Sequence, residues 1–201
     1  MYSEARLSSL ALVHPTIAML EIETARLKLR QFYFDDEAAL VQILSDPEVM
    51  RYSPAGSIPP AKVRQVTQGK LAFFINHWEQ HHFGVWAVID KTTNDLMGLC
   101  GLNFLPDSSE VEVLYRFAQA YWNRGIATEA AKASLRYGFE QVKLNRIVAL
   151  TLAEHTASRR VMEKAGLKYE KDAHLYNLDV VYYAISCTVW QPDDSLYVLR
   201  T

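Results

Sequence analysis

The stretch Trp122-Asn123-Arg124-Gly125-Ile126-Ala127-Thr128-Glu129-Ala130 enters a segment with helical spacing, because apolar residues follow at positions 126, 130, 133 and 137. The first N–H groups of a helix have no intrahelical partner, and the positive end of the helix dipole favours an anion. The stretch therefore predicts a phosphate-binding corner, in which Gly125 lets the backbone approach, Arg124 adds charge and Ala127 keeps the first turn uncrowded. On local residues alone, a glycine-containing loop before an alanine-rich helix explains it equally well.

The segments on either side of this corner predict two parallel strands. Residues 110–117 alternate, so that one face carries Val111, Val113, Tyr115 and Phe117. Residues 146–152 form a short continuous apolar run, typical of a strand covered on both faces. Strand, helix and buried strand make a βαβ unit, whose crossover is right-handed in nearly all folds. We therefore expect the two strands to be parallel neighbours.

Further elements are predicted before and after this unit. Residues 26–32 have the period of a strand, and a helix follows from Asp35 and Asp36, which occupy N-cap positions, up to Pro47. A second helix is predicted over residues 61–78, with Lys70 interrupting its apolar face. The other predicted elements are a hairpin of residues 83–90 and 96–104, a helix over 156–165 ending at Gly166, and strands around 167–173 and 178–190.

Length and composition predict one globular domain. The chain has 201 residues, of which 50% are hydrophobic and 22% charged. We assign residues 21–190 to the domain, residues 1–20 to an N-terminal extension and residues 191–201 to a C-terminal tail. A net charge of −2 gives no footprint for nucleic acid, and no apolar run approaches the roughly 20 residues that span a bilayer. A cytoplasmic location is expected, because Cys100 and Cys187 both fall in predicted strands, where reduced thiols fit better than a disulfide.

The cysteines and histidines predict no metal site. Cys100 and Cys187 both fall in predicted strands, where reduced, buried thiols are expected. The histidines form no ligand set with cysteines or carboxylates at the usual spacings. The last predicted strand, ending at Trp190, could be a sheet edge that pairs two copies into a homodimer.

Two common phosphate-binding motifs are missing, since no glycine is followed by Lys-Ser or Lys-Thr and no Gly-x-Gly-x-x-Gly occurs. Instead, the run from Tyr115 to Ala130 resembles the acetyl-CoA signature of the GNAT superfamily of N-acetyltransferases. The branch of ribosomal-protein N-terminal acetyltransferases is the most similar. The likeness begins at Glu23-Thr24-Ala25-Arg26-Leu27-Lys28-Leu29-Arg30 and extends to Ser158-Arg159-Arg160-Val161-Met162-Glu163-Lys164-Ala165-Gly166-Leu167.

This resemblance implies a fold and a cofactor. The fold is of the α+β class, with a central mixed, mostly antiparallel sheet, one parallel strand pair that splays apart, and flanking helices. The cofactor is acetyl-CoA, with its pyrophosphate on the backbone of residues 124–128 and its pantetheine arm near Phe117. The residues implied in cofactor binding are Phe117, Asn123, Arg124, Gly125, Ile126, Ala127, Thr128, His155 and Ser158.

The resemblance also implies catalytic residues. Glu112 matches a carboxylate that relatives use as the base, although a solvated strand glutamate is an equal alternative, and Glu110 could substitute. Ser158 matches a serine near the CoA sulfur, against the alternative of a first-turn serine bonded to backbone. Many relatives use a tyrosine donor where this chain has Met162. His155 stands where the family usually has asparagine, which puts one cofactor contact in doubt.

Two classes of function follow. The first is an N-acetyltransferase acting on a primary amine: a protein N-terminus, a polyamine, an amino acid or an aminoglycoside. Its acceptor would be recognised by the variable residues 50–60 and the helix over 61–78. The second is a catalytically silent acyl-CoA-binding module, suggested by His155 and the missing tyrosine.

Overall fold

The computed structural model describes residues 20–54, 56–175 and 177–201. The strands are β1 (Glu21–Glu23), β2 (Leu27–Arg30), β3 (Val85–Asp90), β4 (Leu96–Phe104), β5 (Val111–Phe117), β6 (Arg146–Leu152), β7 (Lys168–Leu175), β8 (Leu178–Ser186) and β9 (Val198–Arg200). The α-helices are α1 (Glu37–Ser45), α2 (Pro47–Met50), α3 (Pro60–His81), α4 (Ile126–Glu140) and α5 (Thr156–Lys164). Except for Leu20, the predicted N-terminal extension lies outside the described residues.

The strands form one sheet in the order β7-β8-β6-β5-β4-β3-β2-β1-β9. The parallel pair predicted for residues 110–117 and 146–152 is confirmed as β5 and β6, and the other neighbouring strands in the order are antiparallel. β5 pairs with β4 from Val111 to Phe117 but with β6 only where Glu112 faces Val148. The two parallel strands therefore separate beyond Glu112, as the predicted fold requires.

Helices cover both faces of the sheet. α4 and α5 pack on one face, where Ala130, Leu135 and Met162 join the larger core cluster. α1 and α3 pack on the other, where Leu40 and Leu71 lie with residues of β3 and β4 in a second cluster. Because side chains alternate along a strand, successive residues of β5 belong to opposite faces. β5 therefore contributes residues to the site described below on both faces of the sheet.

The predicted helices are present with adjusted ends. α3 runs three residues beyond the predicted Trp78, to His81, and closes at His82 in the left-handed region with φ 59°. Asp36 stands at the start of α1 as predicted, but its carboxylate does not cap the helix. It pairs instead with Arg30, with Nη2–Oδ1 at 2.7 Å, because β2 lies directly beside it.

The C-terminal region differs from the prediction. The last long strand ends at Ser186, residues 187–189 form a turn, and β8 lies inside the sheet between β7 and β6. The predicted edge ending at Trp190 is therefore wrong, and Cys187 is exposed, whereas Cys100 is buried as expected. β9, which pairs with β1, was not among the elements predicted from the sequence.

Candidate active site

The N-terminal end of α4 presents unpaired backbone N–H groups. Gly125 precedes the helix with φ 75°, and no side chain of the described residues caps it. The first helical bond runs from the Glu129 N–H to the Gly125 carbonyl at 3.0 Å, so the N–H groups of Ile126, Ala127 and Thr128 have no intrahelical partner. The Ile126 side chain is buried in the core, so it does not cover these N–H groups. The geometry is that of an anion-binding helix end.

The loop before this helix is held by its own side chains. Asn123 takes a left-handed conformation with φ 58°, which asparagine tolerates better than most residues. The Trp122 indole N–H donates to the Phe117 carbonyl at 2.7 Å and so ties the loop to the end of β5. The Arg124 guanidinium lies 5.8 Å from the centre of the Tyr121 ring and is paired with no carboxylate of the described residues. It is thus available to an anion at the corner.

A network from the N-terminal strands supports the same turn of α4. The Glu129 carboxylate accepts hydrogen bonds from the Thr24 hydroxyl at 2.6 Å and from the Arg26 backbone N–H at 3.0 Å. The Arg26 guanidinium also donates to the Arg124 carbonyl at 2.8 Å. These contacts bring together the first segment of the family resemblance and its central motif.

Glu112 lies at the point where β5 and β6 separate. Its side chain is on the α1 and α3 face, and Asn103 on the adjacent strand hydrogen-bonds its carboxyl group. Burial raises the pKa of Glu112 to about 7, an effect that the Asn103 hydrogen bond only partly offsets. A carboxyl group with this pKa can accept a proton near neutral pH.

Glu110, the predicted substitute for Glu112, is already engaged. Its carboxylate accepts a short hydrogen bond from the Tyr182 hydroxyl and lies 3.5 Å from Nε of Arg146. It also precedes β5 and so lies further from the separated ends of the two strands. Of the two carboxylates, Glu112 is the one that has no cationic partner among the described residues.

Ser158 and Tyr115 meet on the opposite face of the sheet. The Ser158 side chain is buried, and its Oγ lies 2.9 Å from the Tyr115 hydroxyl, which also donates to the Ser158 carbonyl at 2.9 Å. Burial raises the pKa of the Tyr115 phenol well above its ordinary value, so it stays protonated. From the sequence, Tyr115 was expected only as a residue on one face of a strand and was missed as a site residue. No local pattern places it against Ser158.

His155 packs against the loop predicted to recognise the acceptor. Its ring stacks on Tyr52 with centroids 4.0 Å apart, and its Nδ1 lies 3.1 Å from the Thr151 hydroxyl oxygen. Burial lowers the pKa of His155, so the imidazole is neutral at pH 7.

A cavity of about 690 Å³ extends from the helix end along α4, touching Gly125 and Thr128 as well as Lys132 and Arg136. Glu112 and Ser158 do not line it. Among the residues described, no group of three or more His, Cys, Asp or Glu could hold a metal ion. No helix in the described part of the chain is long and apolar enough to cross a membrane.

The sequence and the architecture match a known family. Residues 26–168 match the family model described as the acetyltransferase (GNAT) domain. The uncharacterized N-acetyltransferase YnaD of Bacillus subtilis is 32% identical over 75% of this chain and 84% of its own length. A GNAT-family acetyltransferase structure from Bacillus anthracis is 32% identical, covers 84% of this chain and 99% of its own, and superposes with a TM-score of 0.70.

A solved structure of RimJ from Mycobacterium smegmatis, in complex with CoA-disulfide, has the same fold with a TM-score of 0.72 at 20% identity. It covers 87% of this chain and 88% of its own. The chain belongs to the GNAT acetyltransferase family. It is an acetyl-CoA-dependent acyltransferase, in agreement with the resemblance seen in its sequence.

Proposed function

We propose that this chain transfers the acetyl group of acetyl-CoA to a primary amine, with Glu112 as the base and Ser158 as the donor at the sulfur. The observation that carries the proposal is the position of Glu112, where β5 and β6 part, with a pKa of about 7 and no cationic partner among the described residues. In GNAT proteins the thioester enters between the parted strands. A base at this point can take the proton that the attacking amine loses.

The binding role proposed for residues 123–128 rests on the helix end. The uncapped N–H groups of residues 126–128 fit a pyrophosphate in charge and in hydrogen-bond direction. The Arg124 guanidinium fits it too, because its contacts among the described residues are the Ala120 carbonyl at 3.5 Å and the Tyr121 ring, and no carboxylate. A residue with a Cβ atom in place of Gly125 would put that atom beside the proposed ligand, 3.5 Å from Nη2 of Arg26. Phe117 is the last residue of β5, and His155 follows the end of β6 by three residues. From these positions we propose that both contact the pantetheine arm.

The donor role proposed for Ser158 rests on its contact with Tyr115. The amine nitrogen bonds to the carbonyl carbon, the carbon–sulfur bond breaks, and the sulfur leaves with the electron pair. In the structure the phenol donates to the Ser158 carbonyl, which leaves the serine hydroxyl as the donor to the phenol oxygen. We propose that the phenol proton turns to Ser158 Oγ, 2.9 Å away, when the sulfur leaves, so that the serine proton can be donated to that sulfur. This pair takes the place of the tyrosine donor that is absent at Met162.

We propose a protein N-terminus or a small primary amine as the acceptor. Residues 50–60 support this because Tyr52 stacks on His155 and thereby brings this loop to the end of β6. A cytoplasmic location and a homodimer stay predictions. The edge strand on which the homodimer prediction was based is not present in the fold.

Acetyl-CoA titration by calorimetry, followed by thiol release with a panel of amines, tests the function. We expect unsubstituted protein to bind and turn over, and Glu112→Gln to bind equally but lose about 10²–10⁴-fold in kcat/KM. Glu79→Gln, an exposed glutamate of α3, is the matched control. Binding without thiol release for any amine would instead favour the silent binding module.

A further inference from the structure

Two cations lie half-buried on the side of the sheet where the acceptor is proposed to bind. Lys70 belongs to the sheet-facing side of α3, one residue before the fully buried Leu71. Arg116 projects from β5 on the same face, opposite Leu99, and Leu71 and Leu99 share one core cluster. Lys70, which interrupts the predicted apolar face of α3, therefore lies on the same side of the sheet as Arg116.

Within residues 20–54, 56–175 and 177–201, neither cation has a counter-ion. No carboxylate of the described residues forms an ion pair with Lys70 or Arg116, and no hydrogen-bond partner is present for either side chain in that part of the chain. Burial lowers the pKa of both groups, and the Arg116 charge lowers that of Lys70 further. Two like charges held out of water without compensation oppose folding, so their presence calls for an explanation.

Other half-buried arginines have polar partners: Arg159 donates to the Tyr183 hydroxyl oxygen at 3.1 Å, and two more pair with carboxylates. Arg30 pairs with Asp36, Nη2–Oδ1 at 2.7 Å, and Arg136 pairs with Glu140, Nε–Oε1 at 3.0 Å. Lys91 likewise pairs with Glu23 at 3.2 Å. The pair at Lys70 and Arg116 departs from this pattern at the one place where a substrate is proposed to enter.

We infer that Lys70 and Arg116 bind an oxyanion, a carboxylate or a phosphate, carried by the amine acceptor. The inference rests on the proposed function, because it assigns the second point of contact for the same acceptor. A guanidinium suits either oxyanion, since it presents paired N–H donors to two oxygens, while an ammonium adds a point charge. The acceptor's charge then supplies the counter-ion that the described residues do not provide for Lys70 and Arg116.

The strand geometry sets the length of the acceptor. Arg116 follows Glu112 by four residues on the same face of β5, which places their Cα atoms roughly 13 Å apart at about 3.3 Å per residue. The long side chains shorten this span, yet the reacting nitrogen and the oxyanion remain several bonds apart. An ω-amino acid fits this spacing better than an α-amino acid, whose amine and carboxylate share one carbon.

Matched acceptors test the inference. We would measure KM for 6-aminohexanoate, 4-aminobutanoate and glycine, each against its carboxamide, with 3-aminopropylphosphonate as the phosphate arm. We expect at least one of the two longer carboxylates, or the phosphonate, to have a KM about tenfold to a hundredfold lower than an uncharged acceptor of similar length. Arg116→Met and Lys70→Met should abolish this preference without changing acetyl-CoA affinity. Lys62→Met removes an exposed lysine of the same helix and should keep it.

Calorimetric binding of the same compounds to CoA-saturated protein gives a readout that does not need turnover. Equal affinity for charged and uncharged acceptors, or a preference that survives both substitutions, would overturn the inference. Loss of acetyl-CoA binding in Arg116→Met would overturn it too, because the arginine would then serve the cofactor. The proposed function fails separately, if the unsubstituted protein neither binds acetyl-CoA nor releases thiol.

Discussion

Arg26 and Glu129, 103 residues apart in the chain, form an ion pair in which Nε and Nη2 of the arginine lie 2.7 and 2.6 Å from Oε2 of the glutamate. The buried Thr24 hydroxyl donates to the other carboxylate oxygen at 2.6 Å. The turn between β1 and β2 is thus fastened to the first turn of α4. The helix end that faces the proposed pyrophosphate site is held in place by the turn between β1 and β2, which are four and three strands away from β5 in the sheet.

Replacing this glutamate should cost both stability and affinity. Glu129→Gln removes the charge that Arg26 pairs with and weakens the bond to Thr24. Arg26 is half-exposed, so its ion pair contributes little, and most of the loss comes from the weakened bond to the buried Thr24 hydroxyl. We expect the free energy of unfolding to fall by about 1–2 kcal/mol. Urea denaturation measures this loss, and calorimetry should show weaker acetyl-CoA binding. Glu79→Gln should change neither; equal stability of the two variants would contradict the role of the network.

Gly125→Glu should abolish acetyl-CoA binding. A side chain here is strained because φ is 75°, and it would place a negative charge at the end of α4 where the pyrophosphate is proposed to bind. Gly69→Glu is a matched control, because a Cβ atom at Gly69 meets no atom within 4 Å and the site lies on α3. Unchanged affinity in Gly125→Glu, measured by calorimetry on folded protein, would refute the placement of the phosphates.

Ser158→Ala should lower kcat by about tenfold to a hundredfold while leaving acetyl-CoA affinity within about twofold, because the serine proton is needed only when the sulfur leaves. Tyr115→Phe should lower kcat less, since Ser158 keeps its own hydroxyl. The double variant should be no slower than Ser158→Ala alone if the phenol acts through the serine. Additive losses in single-turnover thiol release would show that the two hydroxyls act independently.

The pH profile should report Glu112. Its pKa of about 7 means that kcat/KM, corrected for the neutral fraction of the amine, rises about tenfold per pH unit below pH 7 and levels above it. In Glu112→Gln this limb should be missing from whatever activity is left. A variant that kept the same limb would assign the titration to another group.

The same carboxyl group should also affect stability. Because its folded pKa of about 7 exceeds the ordinary 4.5, the folded state holds a proton that the unfolded chain releases between these values. The stabilising contribution is fully present below pH 4.5 and is lost as the pH rises through about 7. Glu112→Gln should therefore be more stable relative to the unsubstituted protein at pH 8 than at pH 5. Denaturant titrations at the two pH values measure the difference, and an inverted order would contradict the raised pKa.

Much of the fold was determined by local sequence patterns. The alternation in residues 110–117, the helical spacing after Gly125 and the apolar run at 146–152 predict β5, α4 and β6 in the order found. These patterns work because each reports which face of one element is buried, a property of a few adjacent residues. The handedness of the crossover then gave the parallel pair, and the family motif pointed to acetyl-CoA.

Tertiary structure decided the features that depend on two distant elements. Cys187 lies in an exposed turn, and β9 pairs with β1. Both features depend on where the end of the chain meets the sheet, which no local pattern specifies. The contact of Tyr115 with Ser158 and the approach of Lys70 to Arg116 arise only when helices pack on the strands. The pKa of Glu112 depends on burial in the same way. No pattern within one segment contains the identity of its packing partner, so these chemical properties of the site could be found only from the folded arrangement.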